Sequence, residues 1–105
     1  MLLKIEVSAS CEIDLDTAYR WYESQRALLG TEFLQDFGQR LQILAKNPQI
    51  GTISYQQVRK FVPQRFPYVL YYLATESKLT VIACLHGGIN SGIKSRLLRK
   101  RTFKQ

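Results

Sequence analysis

The sequence predicts an α+β fold in the order strand, helix, helix and then three strands. Three observations support this prediction. Apolar residues alternate near the N-terminus, recur every three or four positions across residues 8–46, and run almost without interruption through two segments after residue 67. These periods are typical of a half-buried strand, of amphipathic helices and of buried strands, respectively. The order favours a helix pair packed on one face of an antiparallel sheet.

The first predicted helix begins after Ser8 or Ser10, because either hydroxyl can cap a helix N-terminus. Its apolar residues recur at spacings of three and four and form one face. They are Leu15, Ala18, Tyr19, Tyr22, the stem of Arg26 and Leu29. Trp21 and Tyr22 are interpreted as core residues rather than as a platform for stacking bases. Gly30 is expected to end this helix.

The second predicted helix begins after Thr31 and ends before Asn47, because Pro48 disfavours a helical residue before it. With only two residues between them, the helices are expected to pack antiparallel. The apolar stripe of the second helix is Leu34, Phe37, Leu41 and Leu44. We expect it to pack against strand residues drawn from Val69, Tyr71, Val81 and Ala83.

The predicted strands follow the apolar runs. The first contains Leu3, Ile5 and Val7, which alternate with charged residues. Residues 50–57 are interpreted as a loop, and the later strands are expected at residues 58–63, 68–74 and 79–85. The last two form a hairpin across residues 75–78. Because both are almost continuously apolar, at least one is expected to be covered on both faces.

Length and composition indicate one folded domain. The chain has 105 residues, of which 46% are hydrophobic and 22% charged, as in an ordinary globular protein. Its longest apolar run is far shorter than the roughly 20 residues needed to cross a bilayer, so we expect a cytoplasmic protein. Cys11 and Cys84 lie in no metal-binding motif, and neither a metal, a cofactor nor a disulfide is expected. Cys84 is interpreted as a small buried apolar residue.

The charge is concentrated in the second half of the chain. Residues 1–50 carry a net charge of −2 and residues 51–105 carry +9, for a total of +7. Such a basic half is typical of proteins that bind phosphate backbones or acidic protein segments. The sequence is divided into a folded domain, residues 1–93, and a basic tail, residues 94–105. The tail is either a disordered arm or a contact region, and its candidate binding residues are Lys94, Arg96, Arg99, Lys100 and Arg101.

Four segments resemble the RelE/ParE superfamily of toxins from type II toxin–antitoxin modules. They are DLDTAYRWYESQRALLG, EFLQDFGQRLQILAKNP, VRKFVPQRFPYVLYY and VIACLH, and they occur in the family order over about residues 8–90. The residues of these segments are more similar to the ParE branch than to the RelE branch. The resemblance implies a toxin neutralised by a cognate antitoxin, with an acidic segment expected on that partner. ParE-type toxins act on DNA gyrase, whereas RelE-type toxins cleave mRNA on the ribosome.

The residues allow these two activities to be compared. RNA cleavage through the 2′-hydroxyl needs a base, an acid and cations that face the developing charge. Arg59, Lys60 and Arg65 can supply cations, and His86 can act as acid or base. RelE-like nucleases commonly use a tyrosine near the C-terminus, and some use a glutamate on the second strand. In this sequence, however, residues 54–65 contain no carboxylate, and no tyrosine follows Tyr72. The acid–base set of a RelE-type nuclease is therefore incomplete.

Each candidate residue also has a structural interpretation. His86 can simply end a buried strand, and Arg59, Lys60 and Arg65 can solvate a sheet edge. The arginine and proline that usually follow the HG pair in ParE-like sequences are replaced by Ile89 and Ser91. The sequence favours a ParE-type gyrase inhibitor that acts by binding. The alternatives are an mRNA endonuclease and a degenerate module that binds an antitoxin without being toxic.

Overall fold

The computed structural model describes residues 3–62 and 64–103 and contains five strands and three helices in that part of the chain. In chain order the elements are β1 (Lys4–Val7), α1 (Ala9–Gln25), α2 (Leu29–Lys46), β2 (Thr52–Tyr55), β3 (Val58–Phe61), β4 (Tyr68–Ala74), β5 (Lys78–His86) and α3 (Ser91–Phe103). The strands form one sheet in the order β1-β5-β4-β3-β2. β1 is parallel to β5, and the other neighbours are antiparallel. The predicted α+β class is confirmed, with a mixed sheet.

The connection between α1 and α2 differs from the prediction at Gly30. Ser8 caps α1 as expected, since its hydroxyl accepts a hydrogen bond from the amide of Cys11 at 3.1 Å. Helix α1 ends at Gln25, and α2 begins after Leu28, whose φ of 71° reverses the chain. Gly30 lies inside the first turn of α2, where an added Cβ would stand 2.7 Å from the Tyr19 ring. Gly30 therefore allows the two helices to approach closely instead of ending the first one.

Helices α1 and α2 pack on the same face of the sheet and enclose the main core, as predicted. The buried members of this core are Cys11, Ala18, Tyr22, Phe33, Phe37, Leu44, Phe66, Leu70, Tyr72, Leu79, Val81 and Cys84. Of the stripe expected on α2, Phe37 and Leu44 are buried and Leu41 is partly buried, but Leu34 is 39% exposed. Phe33 occupies the core position that the sequence assigned to Leu34.

The expected strand partners of α2 are correct only in part. Val81 belongs to the main core, whereas Val69, Tyr71 and Ala83 lie on the opposite face of the sheet. A bulge in β5 places Val81 and Ala83 on opposite faces: Tyr71 pairs with Ala83 and Tyr72 with Val81, so Ile82 has no partner in β4. An extra residue of this kind shifts the alternation of side chains. A strict period of two consequently groups Val81 with Ala83, whereas Val69 and Tyr71 follow the regular alternation of β4 and belong to the opposite face.

The opposite face of the sheet carries a second, smaller core that is covered by α3. Its buried members are Val58, Tyr71, Ile82, Ala83, Leu85 and Leu98. Leu98 is the contribution of α3 and is 1% exposed. The prediction that a central strand is covered on both faces is thus confirmed. Residues 94–103, assigned to a basic tail, belong to this packed helix, which also crosses the expected boundary at residue 93.

The hairpin of β2 and β3 at the edge of the sheet differs from the prediction for residues 50–57. Residues 52–55 form a strand, although residues 50–57 were interpreted as a loop. The turn that follows contains Gln56 with φ of 50°, a conformation more typical of Gly or Asn. The strand expected at 58–63 ends at Phe61, and Pro63 lies outside the described residues. β4 has the predicted bounds, and β5 extends the prediction by one residue at each end.

Candidate functional site

Arg59 is held by internal hydrogen bonds at the edge of the sheet. Its guanidinium donates to the carbonyl of Gly51 at 2.7 Å and to that of Gln49 at 3.3 Å. The neighbouring Tyr72 hydroxyl donates to the carbonyl of Pro48 at 2.8 Å and accepts from the amide of Gly51 at 3.0 Å. Arg59 and Tyr72 together fix the segment that leads from α2 into β2. Lys60, the next residue, is exposed and pairs with Tyr71 across the strands.

Arg65 is part of an exposed ion-pair network at the N-terminal turn of α2. It pairs with Glu32, which also accepts two hydrogen bonds from Arg26 at 3.3 Å. The hydrogen bonds from Arg26 and Arg65 lower the pKa of Glu32. The Arg65 guanidinium carbon also lies 4.8 Å from the centre of the Phe66 ring, within the range of a cation–π contact. Arg65 thus joins the loop before β4 to α2.

His86 ends β5 and is exposed, with its ring fixed by two contacts. Its Nδ1 accepts a hydrogen bond from the amide of Gly88 at 2.9 Å, and its ring packs edge-on against Tyr68 at 5.4 Å. Because Nδ1 accepts, the neutral ring carries its proton on Nε2. These contacts give His86 a structural role at the end of the strand.

An aromatic cluster lies beside Arg65 and His86. Tyr22 contacts Phe33, Phe66 and Tyr68 at ring-centre distances of 5.2, 4.9 and 5.9 Å. This confirms that Tyr22 is a core residue. Trp21 was also expected in the core, but it contacts Tyr22 only from outside and is 56% exposed.

The structure does not bring the four nuclease candidates together. His86 pairs with Tyr68 at one end of β4, whereas Arg59 pairs with Tyr72. Four residues of strand separate these positions by about 13 Å. Arg59 instead lines a surface depression beside the β4–β5 turn at Thr75. Arg65 is near the histidine end but already pairs with Glu32.

The basic residues of α3 divide into two groups. Arg101 forms a bidentate ion pair with Asp14 at 2.7 and 3.1 Å and donates to the carbonyl of Ile82 at 2.9 Å. It therefore holds α3 against α1 and β5. Arg96, Arg99 and Lys100 are exposed, and Lys94 is partly exposed. Among the residues that the structure describes, none of these four pairs with a carboxylate.

The sequence did not identify the structural role of Asp14. Its Oδ2 accepts hydrogen bonds from both Arg101 and the amide of Cys84. Asp14 stands between Glu12 and Asp16 in the sequence, so nothing local distinguishes it, and its partners are too distant along the chain to be recognised.

Cys11 and Cys84 are both buried, and neither is part of a disulfide. Burial is the main cause that raises the pKa of the Cys11 thiol to about 12, and it also raises that of Cys84. Both are therefore neutral thiols that act as small apolar residues, as expected for Cys84. Across residues 3–62 and 64–103, no three His, Cys, Asp or Glu side chains are grouped so that they could hold a metal ion.

No helix in the described part of the chain combines the length and apolar character needed to cross a membrane.

Comparison with known proteins identifies the family. Among curated proteins, none matches the chain. The solved structure titled chromosomal ParDE TA system from P. aeruginosa has a TM-score of 0.72 with this one, covers 81% of this chain and 96% of that chain, and is 15% identical in sequence. At that identity the similarity concerns the fold. The sequence model of the ParE toxin of the type II toxin–antitoxin system parDE matches residues 5–90, so the chain belongs to the ParE toxin family.

Proposed function

We propose that this protein inhibits DNA gyrase by binding and that a cognate antitoxin neutralises it in the cytoplasm. Membership of the ParE family supports the activity of a toxin that a cognate antitoxin neutralises. The separation of the cation candidate Arg59 from the acid–base candidate His86 supports binding over RNA cleavage. Arg59 and His86 lie near opposite ends of the sheet, and both side chains make hydrogen bonds to backbone groups of the fold.

The dispersal of these residues is the observation that carries the proposal. A nuclease needs its acid, base and cations around one phosphate. In this chain the guanidinium of Arg59 donates to the carbonyl of Gly51, and that of Arg65 pairs with the carboxylate of Glu32. The ring of His86 accepts a hydrogen bond from the amide of Gly88. A protein that acts through a binding surface does not need these three side chains to meet at a single site.

An antitoxin would find both apolar and basic contact sites on the surface. Large apolar side chains that are exposed on the helix pair are Ile13, Trp21, Leu28 and Leu34. The basic residues that we propose for target or antitoxin binding are Arg59, Lys60, Arg65, Lys94, Arg96, Arg99, Lys100 and Arg101. Those without a carboxylate partner in the described residues, such as Lys60 and Arg96, are the stronger candidates for intermolecular contacts.

The proposal is tested by two assays on one preparation of purified toxin. We expect inhibition of gyrase supercoiling, or trapping of cleaved DNA, and intact mRNA on translating ribosomes. His86→Ala should lower gyrase inhibition only as far as it disturbs the end of β5, because inhibition by binding requires no proton transfer from the ring. Arg20→Ala, at an exposed ion pair with Asp16, is the control for removal of a side chain elsewhere.

The same variants identify the alternatives. Ribosome-dependent cleavage that falls about 100- to 10,000-fold in His86→Ala would establish a general acid or base and overturn the proposal. Arg65→Ala would then reduce cleavage comparably by removing positive charge near the reacting phosphate. A protein that neither inhibits gyrase nor cleaves mRNA, but still binds the product of the neighbouring gene, would be a non-toxic antitoxin-binding module.

A further inference from the structure

Helix α3 combines a high positive charge with the absence of any acidic residue in its sequence. Its 13 residues, Ser91–Phe103, include five basic residues and neither Asp nor Glu. Arg101 is partly buried and neutralised by Asp14. The other four basic residues pair with no carboxylate in the part of the chain that the structure describes.

Three of these cations form one stripe along the exposed side of α3. Arg96, Arg99 and Lys100 have the spacing i, i+3, i+4, which places neighbouring Cβ atoms about 5–6 Å apart on a helix. At about 100° per residue, the stripe points away from Leu98, which anchors the helix to the sheet. We call these three residues the basic stripe.

The basic stripe forms a ridge between two surface depressions. On one side, a depression of about 260 Å³ is lined by Arg96 and Arg99 together with Tyr55 and Ser95. On the other side, a groove of about 410 Å³ is lined by Lys100, by the hydroxyl residues Ser10 and Thr80, and by apolar side chains that include Ile82 and Leu97. Hydroxyl groups, like Arg and Lys, donate hydrogen bonds to phosphate oxygens in protein–nucleic acid contacts.

The chemistry of the stripe fits a phosphate backbone better than an acidic protein segment. Protein interfaces rely on apolar or aromatic anchors in a dry centre, and Ile93 is the only large apolar residue of α3 among those clearly exposed in the described residues. Guanidinium groups bind phosphate oxygens in pairs, and closely spaced cations match a chain of phosphates.

We propose that the basic stripe binds the phosphodiester backbone of nucleic acid. The inference deepens the proposed function and rests on it for the identity of that nucleic acid, since gyrase acts on duplex DNA. The toxin would then contact the DNA of its target complex through α3. The helix pair, on the other face of the sheet, would stay available for protein contacts.

The test measures the binding of purified toxin to a fluorescent DNA duplex by anisotropy, over a series of salt concentrations. Each phosphate contact adds about 0.9 to the magnitude of the slope of log K against log salt. The triple variant Arg96→Gln, Arg99→Gln, Lys100→Gln should therefore bind more weakly and show a slope smaller by about 2.7. Leu98 and Arg101 remain, so α3 should stay packed, which a thermal unfolding curve verifies.

A matched triple variant controls for net charge. Lys4→Gln, Arg20→Gln, Lys46→Gln removes the same charge from residues outside α3 and should retain the wild-type slope. Equal losses in the two triple variants would show a general charge effect and overturn the proposal. So would an unchanged slope in the α3 variant.

Two further ligands identify the source of the phosphate chemistry. Stripe-dependent binding to duplex RNA of the same sequence also supports backbone recognition. The duplex that binds with the higher affinity, DNA or RNA, is then the preferred ligand. Stripe-dependent binding to a labelled oligoglutamate peptide, without such dependence for either duplex, would assign α3 to an acidic protein and overturn the proposal. Because these titrations contain no gyrase, their result is independent of the gyrase assay.

Discussion

Asp14 and Arg101 lie 87 positions apart in the chain and form a bidentate ion pair that completes the edge of β5. β1 ends at Val7, opposite Val81. Beyond that point, the guanidinium of Arg101 donates to the carbonyl of Ile82, and the carboxylate of Asp14 accepts from the amide of Cys84. The pair thus satisfies backbone groups that no strand reaches.

The first prediction is that this pair is required for stability. The side chains of Asp14 and Arg101 are only 12% and 17% exposed, so removal of one leaves the other charge poorly solvated. Asp14→Ala should lower the free energy of unfolding by about 3 kcal/mol, measured by urea denaturation. Arg101→Met should cost a similar amount, and the double variant should cost clearly less than the two losses together. Additive losses would show that the two residues act independently.

The second prediction compares two apolar residues of α2. Phe37→Ala should lower the free energy of unfolding by about 3–5 kcal/mol, because Phe37 is buried between α2 and the sheet. Leu34→Ala, at the position that the sequence wrongly placed in the core, should cost less than about 1 kcal/mol. Equal losses by chemical denaturation would contradict the observed orientation of α2.

The third prediction concerns two glycines of the same helix. An added Cβ at Gly30 would stand 2.7 Å from both the ring and the carbonyl oxygen of Tyr19, whereas one at Gly38 would meet no atom within 4 Å beyond its chain neighbours and the backbone of its own helix. Gly30→Ala should therefore destabilise the protein by about 1–3 kcal/mol through crowding. Gly38→Ala should stabilise it by about 0.5–1 kcal/mol through helix propensity. Thermal unfolding of the two variants should show shifts of opposite sign.

The fourth prediction concerns alkaline pH. Burial, assisted by Asp14, raises the pKa of Cys11 from 9.0 to about 12. Above pH 9 the unfolded chain releases a proton that the folded chain retains, so this stabilising contribution is complete below pH 9 and is lost between pH 9 and 12. The loss is about 1.4 kcal/mol per pH unit.

The contribution of Cys11 can be isolated by substitution. In Cys11→Ala the free energy of unfolding should fall less steeply between pH 9 and 11 than in the wild type, as measured by urea titrations at fixed pH values. Tyrosines whose pKa is also raised by burial, such as Tyr71, contribute equally to both proteins. Identical pH slopes would contradict the assignment.

The fifth prediction uses Trp21, the only tryptophan of the chain. Its indole is exposed on α1 beside Tyr22. If the antitoxin covers the helix pair, the fluorescence of Trp21 should shift to shorter wavelength when an antitoxin without tryptophan is added. Trp21→Phe should abolish the signal while binding, followed by calorimetry, persists. Calorimetric binding without a spectral shift would place the antitoxin elsewhere.

The helix pair and the central hairpin could be predicted from the sequence because their buried positions are occupied by apolar residues in regular patterns. The long apolar run gave β4 its correct bounds, and the spacing of apolar residues located α1 and α2. β2 was missed because its turn uses Gln56 rather than Gly or Asn. α3 was missed because Leu98 is its only buried residue among those described, and one leucine produces no apolar stripe.

The candidate site was harder to predict, because cations that look alike in sequence differ in their partners. Arg65 and Arg101 pair with Glu32 and Asp14, which are 33 and 87 positions away. Arg96 has no such partner among the described residues. Only the folded chain separates cations that hold it together from cations available for binding.

The parallel pairing of β1 with β5 has a consequence for synthesis of the protein. Lys4–Val7 pairs with residues 78–81, so the first strand of the chain joins the sheet through one of the last. A chain that is released before residue 78 leaves β1 without a partner and exposes the core that β5 would fill. Contacts of such long range slow folding. Synthesis therefore has to pass residue 81 before β1 can join the sheet.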